Sequence, residues 1–362
     1  MQSERMSDAF EQVLLRLQQG ERHLRKADIR ALSDLNRQQM REFRQVWAGL
    51  PADIRLNTIS TLAQIAQDSF EYCFDRIFRE ALSDPVPQIR RKAVEGLWEC
   101  EEESLASTFL HMLMEDPDIS VRSAVAVGLG RFVYLAEFDE IEPSLAAAIE
   151  SALLTIIHNP EEPLELRRRA VESIGFSGNP DIQAVIRDAY EDDHPDMRMS
   201  AIVAMGRSAD RRWGKIIMQE LMSEDRMMRH EAVRAAGELE LQEATDLLAR
   251  ILDYEDDLDI RRDAVLALGK VGGKGAKAIL EHIIASEDED LFDVAQDAME
   301  ELTFGAQFPE INELLRLVEE EERRGAGDED ESDDWEDWDW EEDWEDEDED
   351  DFLDDEDDLD RW

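Results

Sequence analysis

The 362-residue sequence is poor in the residues that build metal or redox sites, with only two cysteines and six histidines. Cys73 and Cys100 stand in unrelated contexts without metal-ligand spacing, so we expect free thiols, packed as small apolar side chains, in a reducing compartment. The N-terminus has no apolar segment typical of a secretory signal, and no run approaches the roughly 18 apolar residues of a membrane span. We therefore expect a cytoplasmic protein without a membrane segment.

The sequence also lacks the alternating apolar pattern of β-strands. Without strand-to-helix turns there is no context for a glycine-rich phosphate loop or a nucleophile elbow. Positive charge is scarce, since 39 Lys and Arg face 91 Asp and Glu, for a formal net charge of −52. Because nucleic-acid binding depends on Lys and Arg that neutralise phosphates, this balance argues against a nucleic-acid partner and leaves only local basic pairs for such a role.

What the sequence does contain is a repeated segment, seen clearly in Leu166–Gly175. An arginine follows an apolar residue, and apolar residues return three, four and seven positions after it. Glycine stands eight positions after it in five of six copies, where it either ends the helix or lets a neighbouring backbone approach. This spacing predicts one helix with a buried face per copy. The repeat arginines are Arg90, Arg122, Arg167, Arg198, Arg229 and Arg261.

Their separations are 32, 45, 31, 31 and 32 residues, a range typical of stacked helical pairs. The period resembles that of HEAT repeats, most of all the phycobilisome-lyase-like subfamily, as in Asp259–Gly269. The resemblance covers roughly residues 51–322 and implies an all-α fold, an armadillo-like right-handed α-solenoid of about eight helical pairs. It also implies that the arginine-bearing helices form the concave layer. The 45-residue interval predicts an insertion that lengthens a linker and a helix from Pro143 to Ile157.

The repeat arginine lies on the apolar face of its helix, where an unpaired charge would be costly. We therefore predict a structural ladder in which the six repeat arginines pair with acids of the turns between helices. The acids that recur just upstream of them are Asp84, Asp116, Asp196, Asp225 and Asp259.

Three regions are predicted along the chain. Residues 1–50 form an N-terminal helical cap, in which Asn36 and Gln39 make a capping box. Residues 51–324 form the solenoid, and residues 325–362 form a disordered acidic tail. Between Asp328 and Asp360, 25 of 33 residues are acidic, a block that cannot collapse. Unlike a plain solvating tail, it carries large apolar residues that we treat as candidate contacts, namely Trp335, Trp338, Trp340, Trp344, Phe352 and Trp362.

Residues one, two and five positions after the repeat arginine point away from the apolar stripe. Their side chains predict a groove that is locally basic and apolar. Its candidate partner-binding residues are Arg91, Lys92, Val127, Arg168, Arg169, Met199, Val203, His230, Arg234, Arg262 and Leu266. Tail carboxylates could pair with these arginines and tail tryptophans could stack on them, which leads to the hypothesis that the tail screens the groove.

For function, the sequence favours a non-catalytic scaffold that binds protein partners in this groove. It predicts no catalytic residue, cofactor or metal ligand. The alternative is an enzyme or enzyme subunit of the phycobilisome-lyase-like or deoxyhypusine-hydroxylase-like kind. The resemblance to deoxyhypusine hydroxylase would require several His-Glu pairs at one helix position, and this chain has one, His230-Glu231.

Overall fold

A computed structural model describes residues 2–69, 71–286 and 288–307, and within these ranges all regular structure is helical. The predicted all-α class is confirmed. The helices are α1 Gln2–Gln18, α2 Lys26–Leu32, α3 Arg37–Trp47, α4 Ala52–Asp68, α5 Asp75–Ala81, α6 Pro87–Gly96, α7 Glu103–Glu115, α8 Ile119–Ala136, α9 Pro143–His158, α10 Leu164–Ile174, α11 Asp181–Tyr190, α12 Pro195–Arg207, α13 Gly214–Glu220, α14 Arg226–Glu238, α15 Thr245–Tyr254, α16 Leu258–Val271, α17 Gly273–Ser286 and α18 Phe292–Gln307. The predicted acidic tail lies outside the described residues.

From α4 onward the described helices alternate between two layers. Each even-numbered helix packs on the even-numbered helices before and after it, and each odd-numbered helix from α5 packs on the helix that follows it. The even-numbered helices carry the repeat arginine, with Arg55 in α4 and Phe292 in α18 at the equivalent position. Successive even-numbered helices contact one another more extensively than successive odd-numbered ones do. We call them the inner layer.

The apolar stripe of each repeat is the surface that holds the stack together. In α10, Leu166, Ala170, Val171 and Ile174 have no exposed surface. Burial of a Leu, Val or Ile side chain stabilises a fold by about 1.5–3 kcal/mol. Because each helix buries its stripe against neighbouring helices, the repeats stabilise one another and no single large core is needed.

The repeat glycine allows inner-layer helices to approach closely. A Cβ built on Gly175 would lie 2.7 Å from the Cα of Ala204 in the next inner helix, and one on Gly237 would lie 2.9 Å from the Cα of Ala267. Close approach therefore applies at both glycines; Gly175 also ends α10 as its C-cap, whereas α14 continues past Gly237. In the first repeat Trp98 replaces this glycine and remains 45% exposed.

The 45-residue interval is taken up by α8 and α9, which have 18 and 16 residues. Helix α8 corrects one expectation, because its mean hydropathy of 1.4 over 18 residues makes it long and apolar enough to cross a membrane. Half of that window is buried, with Val125 and Leu129 fully enclosed. The extra hydropathy arises because the helix continues past its repeat stripe into Phe132 and Val133, which are also buried. Such burial is typical of a core helix.

Helices α1 to α3 precede the repeats. The predicted capping box is present, with Asn36 Oδ1 accepting from the backbone N–H of Gln39 at 3.0 Å and Gln39 Oε1 accepting from that of Asn36 at 3.0 Å. Phe10, Val13 and Leu17 of α1 are buried. The amphipathic N-terminal segment is therefore packed on the fold through its apolar face.

Candidate partner-binding groove

Salt bridges between successive repeats fix the spacing of the inner layer. Arg90 donates two 2.7 Å hydrogen bonds to the carboxylate of Asp116, which lies in the turn before the next inner helix. It also donates to the backbone oxygen of Asp84 at 2.9 Å. The hydrogen bond to Asp116 raises the pKa of Arg90 above its ordinary value. Each such arginine thus links the turn before its own helix to the turn before the next.

The same arrangement recurs through the array with different acids. The ladder begins one repeat earlier than the sequence indicated, since Arg55 pairs with Asp84. Further along, Arg122 pairs with Glu162, Arg229 with Glu255 and Arg261 with Asp288.

Two of the predicted arginines bind backbone carbonyls instead. Arg167 donates to Ile157 O at 3.1 Å, and Arg198 donates to Asp192 O and Asp193 O at 2.8 and 3.0 Å.

Three of the acids predicted for the ladder have other contacts. Asp196 lies 3.5 Å from Arg168, while the carboxylate of Asp225 caps the first turn of α14. Asp259 lies inside the first turn of α16. In these three turns the acid lies too close to the start of its own helix to reach the repeat arginine of the preceding inner helix.

The predicted groove residues lie on the inner layer, where most of their charged side chains already pair with acids. Lys92 and Arg91 both pair with Glu95, at 2.6 and 3.3 Å. Arg169 pairs with Glu172 at 2.8 Å and with Glu165 at 2.9 Å.

The same holds further along the layer. His230 Nε2 lies 2.8 Å from Asp263 Oδ2, and Arg234 contacts both Asp263 and Glu231. Arg262 donates to the backbone oxygen of Asp290 at 3.3 Å. The expectation of a locally basic groove is therefore wrong. Acids at offsets of two and five stand on the same face as the cations and pair with them.

Five of the predicted residues come together around one cavity of about 250 Å³ between α10, α12 and α14, namely Arg168, Arg169, Met199, Val203 and Arg234. The remaining predicted residues lie outside it. Val127 lines a separate apolar pocket beside Trp98, and Leu266 is exposed on α16.

A buried network forms the floor of this inner cavity. Ser200, which is fully buried, donates to Glu172 at 2.7 Å and accepts from Arg168 at 3.1 Å. Arg207 donates to the backbone oxygen of Glu172 at 2.7 Å, and burial lowers the pKa of its guanidinium. The cavity is thus rigid and mixed in charge.

An aromatic and arginine strip extends from this cavity along the inner layer. The guanidinium of Arg207 lies over Phe176 at 5.0 Å, and Phe176 packs edge to face on Tyr134 at 5.8 Å. Tyr134 in turn contacts Phe138 at 4.9 Å and carries Arg131 over its ring at 5.7 Å. Tyr134 and Phe138 are 40% and 58% exposed, so the strip presents apolar surface to a partner.

The sequence reasoning missed this strip. Arg131, Phe176 and Arg207 share an offset of nine from their repeat arginines, one turn beyond the last position considered. Continuing the helical spacing from two and five to nine would have indicated them. The aromatic chain from Tyr134 to Phe138 belongs to the insertion and has no counterpart in the other repeats.

The two cysteine thiols and the His230-Glu231 pair are the remaining candidates for chemical roles. Cys100 is buried as expected, but Cys73 is exposed, which corrects that part of the expectation. Across residues 2–69, 71–286 and 288–307 no group of three or more His, Cys, Asp and Glu side chains is arranged to hold a metal ion. His230 contacts a single carboxylate, that of Asp263.

This geometry defines a helical-repeat solenoid. The family model described as HEAT repeats matches residues 150–212 and 214–301. The chain therefore contains HEAT repeats, and that prediction is confirmed. No curated protein matches the sequence.

Several solved structures are similar in fold. The complex of CpcE and CpcF of phycocyanin lyase from Nostoc sp. PCC7120 is 17% identical over 72% of this chain and 94% of that chain, with a TM-score of 0.47. Human deoxyhypusine hydroxylase is 16% identical over 83% and 98%, with a TM-score of 0.28. Importin beta is 12% identical over 80% of this chain and 46% of its own, with a TM-score of 0.41.

Proposed function

We propose that this chain is a non-catalytic scaffold that binds a protein partner along the inner layer of its HEAT repeats. The observation that carries the proposal is the strip from Arg131 to Arg207, where the exposed rings of Tyr134 and Phe138 continue through the half-buried Phe176 to the inner cavity. Tyr, Phe and Arg side chains are common anchors in protein interfaces because they offer large contact area with polar groups at the edge.

The charge balance of the inner layer supports a protein partner with both apolar and polar contacts. Its cations are already paired, so a strongly anionic ligand would have to compete with the internal acids Glu172, Glu231 and Asp263. Glu172 is buried, whereas the pairs that Glu231 and Asp263 make with the more exposed Arg234 contribute only about 0–1 kcal/mol each and can be exchanged at little cost. Affinity would then depend mainly on the exposed rings.

The test is affinity capture with the full chain as bait. The double variant Tyr134→Ser/Phe138→Ser removes the exposed rings, and Met222→Ser/Tyr254→Ser removes two comparably exposed apolar side chains elsewhere (62% and 81%). A partner that binds the wild type and the second variant but not the first supports the proposal. Equal binding by both variants contradicts it.

The acidic tail belongs to the same proposal as a competitor. Its tryptophans and carboxylates have the chemistry to stack on and pair with arginines, and a tether supplies millimolar effective concentration. Full chain and residues 1–324 should be compared in parallel, and removal of the tail is expected to raise partner affinity. Unchanged affinity would contradict the competition while leaving the scaffold proposal intact.

The enzyme alternative makes a different prediction for the purified protein. Bound tetrapyrrole, detected by visible absorbance, or stoichiometric iron would favour it over a scaffold. We propose a cytoplasmic location, in keeping with the expected reduced thiols, and thiol labelling of Cys73 in intact cells tests this.

A further inference from the structure

The insertion between Arg122 and Arg167 builds a second groove that the inner-layer function does not use. It has a volume of about 600 Å³ and lies beside α9, on the odd-numbered layer. One face of α9 lines it from Pro143 to His158, which corresponds to about 22 Å at 1.5 Å per residue. The end of α8 and the turn that follows it form the adjoining wall. We call this site the α9 groove.

The groove has an apolar wall that belongs to no repeat stripe. The stripe of α9 that faces the core includes Ile149 and Leu153, which have no exposed surface. A second stripe, on the adjacent face of the helix, includes Ala147 and Leu154. It lines the groove, and Ala147 is exposed. The groove-lining face of α9 therefore carries apolar residues among polar ones such as Ser151 and Thr155, and the described part of the protein leaves it uncovered.

The charged groups of the α9 groove have one sign. Glu137, Asp139 and Glu150 line it, and its lining includes neither Lys nor Arg. Within the described residues none of these three carboxylates forms a salt bridge, in contrast to the paired acids of the inner layer. Glu150 is held in place by Ser177 Oγ at 3.0 Å and Asn179 Nδ2 at 2.6 Å, both donating to it.

We propose that the α9 groove binds a basic amphipathic helix of a protein partner. Apolar residues spaced along four turns of α9, with Val133 and Ile141 beside them, match the apolar stripe of such a helix, and the carboxylates without a salt bridge match Lys or Arg beside that stripe. The chain's own amphipathic N-terminal helix is not available for this role, because Phe10 and Leu17 anchor it in the cap.

The binding probe is a fluorescein-labelled peptide of 16 residues, an arbitrary length of about four turns, made of Leu and Lys in helical amphipathic order. Its control is the same composition scrambled so that no apolar face forms. Fluorescence anisotropy is measured with the full chain at about 0.15 M salt, which screens contacts with exposed acids elsewhere. We expect the ordered peptide to bind at least about tenfold more tightly than the scrambled one, because only the ordered peptide can bury an apolar stripe.

Two matched pairs of variants locate the binding. Ala147→Trp fills the groove, while Ala148→Trp adds the same side chain to the neighbouring exposed position that does not line it. We expect the first to abolish the preference for the ordered peptide and the second to leave it unchanged. Circular dichroism checks that both variants fold as the wild type does.

The contribution of the groove's carboxylates to binding is tested with the second matched pair of variants. Glu137→Gln/Asp139→Asn neutralises two carboxylates of the groove, and Asn tolerates the positive φ of 56° at position 139. Glu140→Gln/Glu191→Gln removes the same charge from exposed positions outside it. We expect roughly fivefold weaker binding for the first pair only, as for two exposed ion pairs.

Equal binding of the ordered and scrambled peptides, or equal effects within either matched pair, would overturn the proposal and assign the binding to the acidic composition alone. A small molecule found in the groove by native mass spectrometry that the ordered peptide fails to displace would overturn it as well. Ala147 and Ala148 belong to α9 and not to the strip, so this matched pair tests the groove independently of the proposed scaffold function.

Discussion

Replacing Arg90 by methionine tests whether the buried ladder holds the repeats together. Its side chain and that of Asp116 are 10% and 6% exposed, and the two charges lie 2.7 Å apart. Loss of one partner leaves a buried charge uncompensated, which costs about 3–5 kcal/mol. Arg226 and Asp257 are also 2.7 Å apart but are 59% and 25% exposed, so Arg226→Met should cost about 0–1 kcal/mol. The two variants differ in burial and not in the length of the ion pair.

The assay is urea unfolding followed by circular dichroism at 222 nm. Since solenoids can unfold in groups of repeats, hydrogen exchange of α6 and α8 is measured alongside to show where stability is lost. The double variant Arg90→Met/Asp116→Leu should recover most of the loss, because it removes both buried charges. Equal costs for Arg90→Met and Arg226→Met, or no recovery in the double variant, would refute the reasoning.

Three further predictions concern local contacts. Gly175→Ala should destabilise by about 1–3 kcal/mol because its Cβ would lie 2.7 Å from the backbone of Ala204, whereas Gly49→Ala, whose Cβ meets nothing closer than 3.6 Å, should be neutral or slightly stabilising in the same urea assay. Asn36→Ala should cost about 1 kcal/mol through loss of the α3 cap, measured by urea unfolding against an Asn36→Asp control that keeps the cap. The hydrogen bond from Ser120 lowers the pKa of Asp118, so its contribution to stability should be present above about pH 4 and be lost as the pH falls through its folded pKa. Asp118→Asn should remove that part of the pH dependence in unfolding experiments between about pH 2 and pH 6.

The helices and their buried faces could be predicted because the apolar spacing around each repeat arginine is a local property of the sequence. For the ladder, the sequence predicted the type of contact, a repeat arginine paired with an acid of a turn, but not every acid involved. Glu255 stands six positions before Arg261, the same offset that Asp84 and Asp116 have from the next repeat arginine, whereas Glu162 follows a long insertion and stands five positions before Arg167. The acid of the insertion therefore depends on the path of its turn, which spacing alone does not determine.

The prediction of a basic inner groove was wrong for a related reason. Counting Arg168, Arg169 and Arg234 as outward cations was correct, but their effect depends on acids of the same face, such as Glu172, which is 5% exposed and bonded to Ser200. Whether a charge is available to a partner depends on its neighbours in three dimensions. A slightly positive sum along the sequence therefore concealed a surface that neutralises itself.

The two grooves show how one insertion changes an array of equal repeats. In the regular repeats, cations pair with acids of the next inner helix, as Arg168 does with Asp196 and Arg234 with Asp263. The added residues lengthen α9 beyond that period, and within the described residues its carboxylate Glu150 and the turn residues Glu137 and Asp139 form no such salt bridge. An interrupted period thus leaves unpaired charge and uncovered apolar surface at the same place, and these are the two features that a partner helix would need.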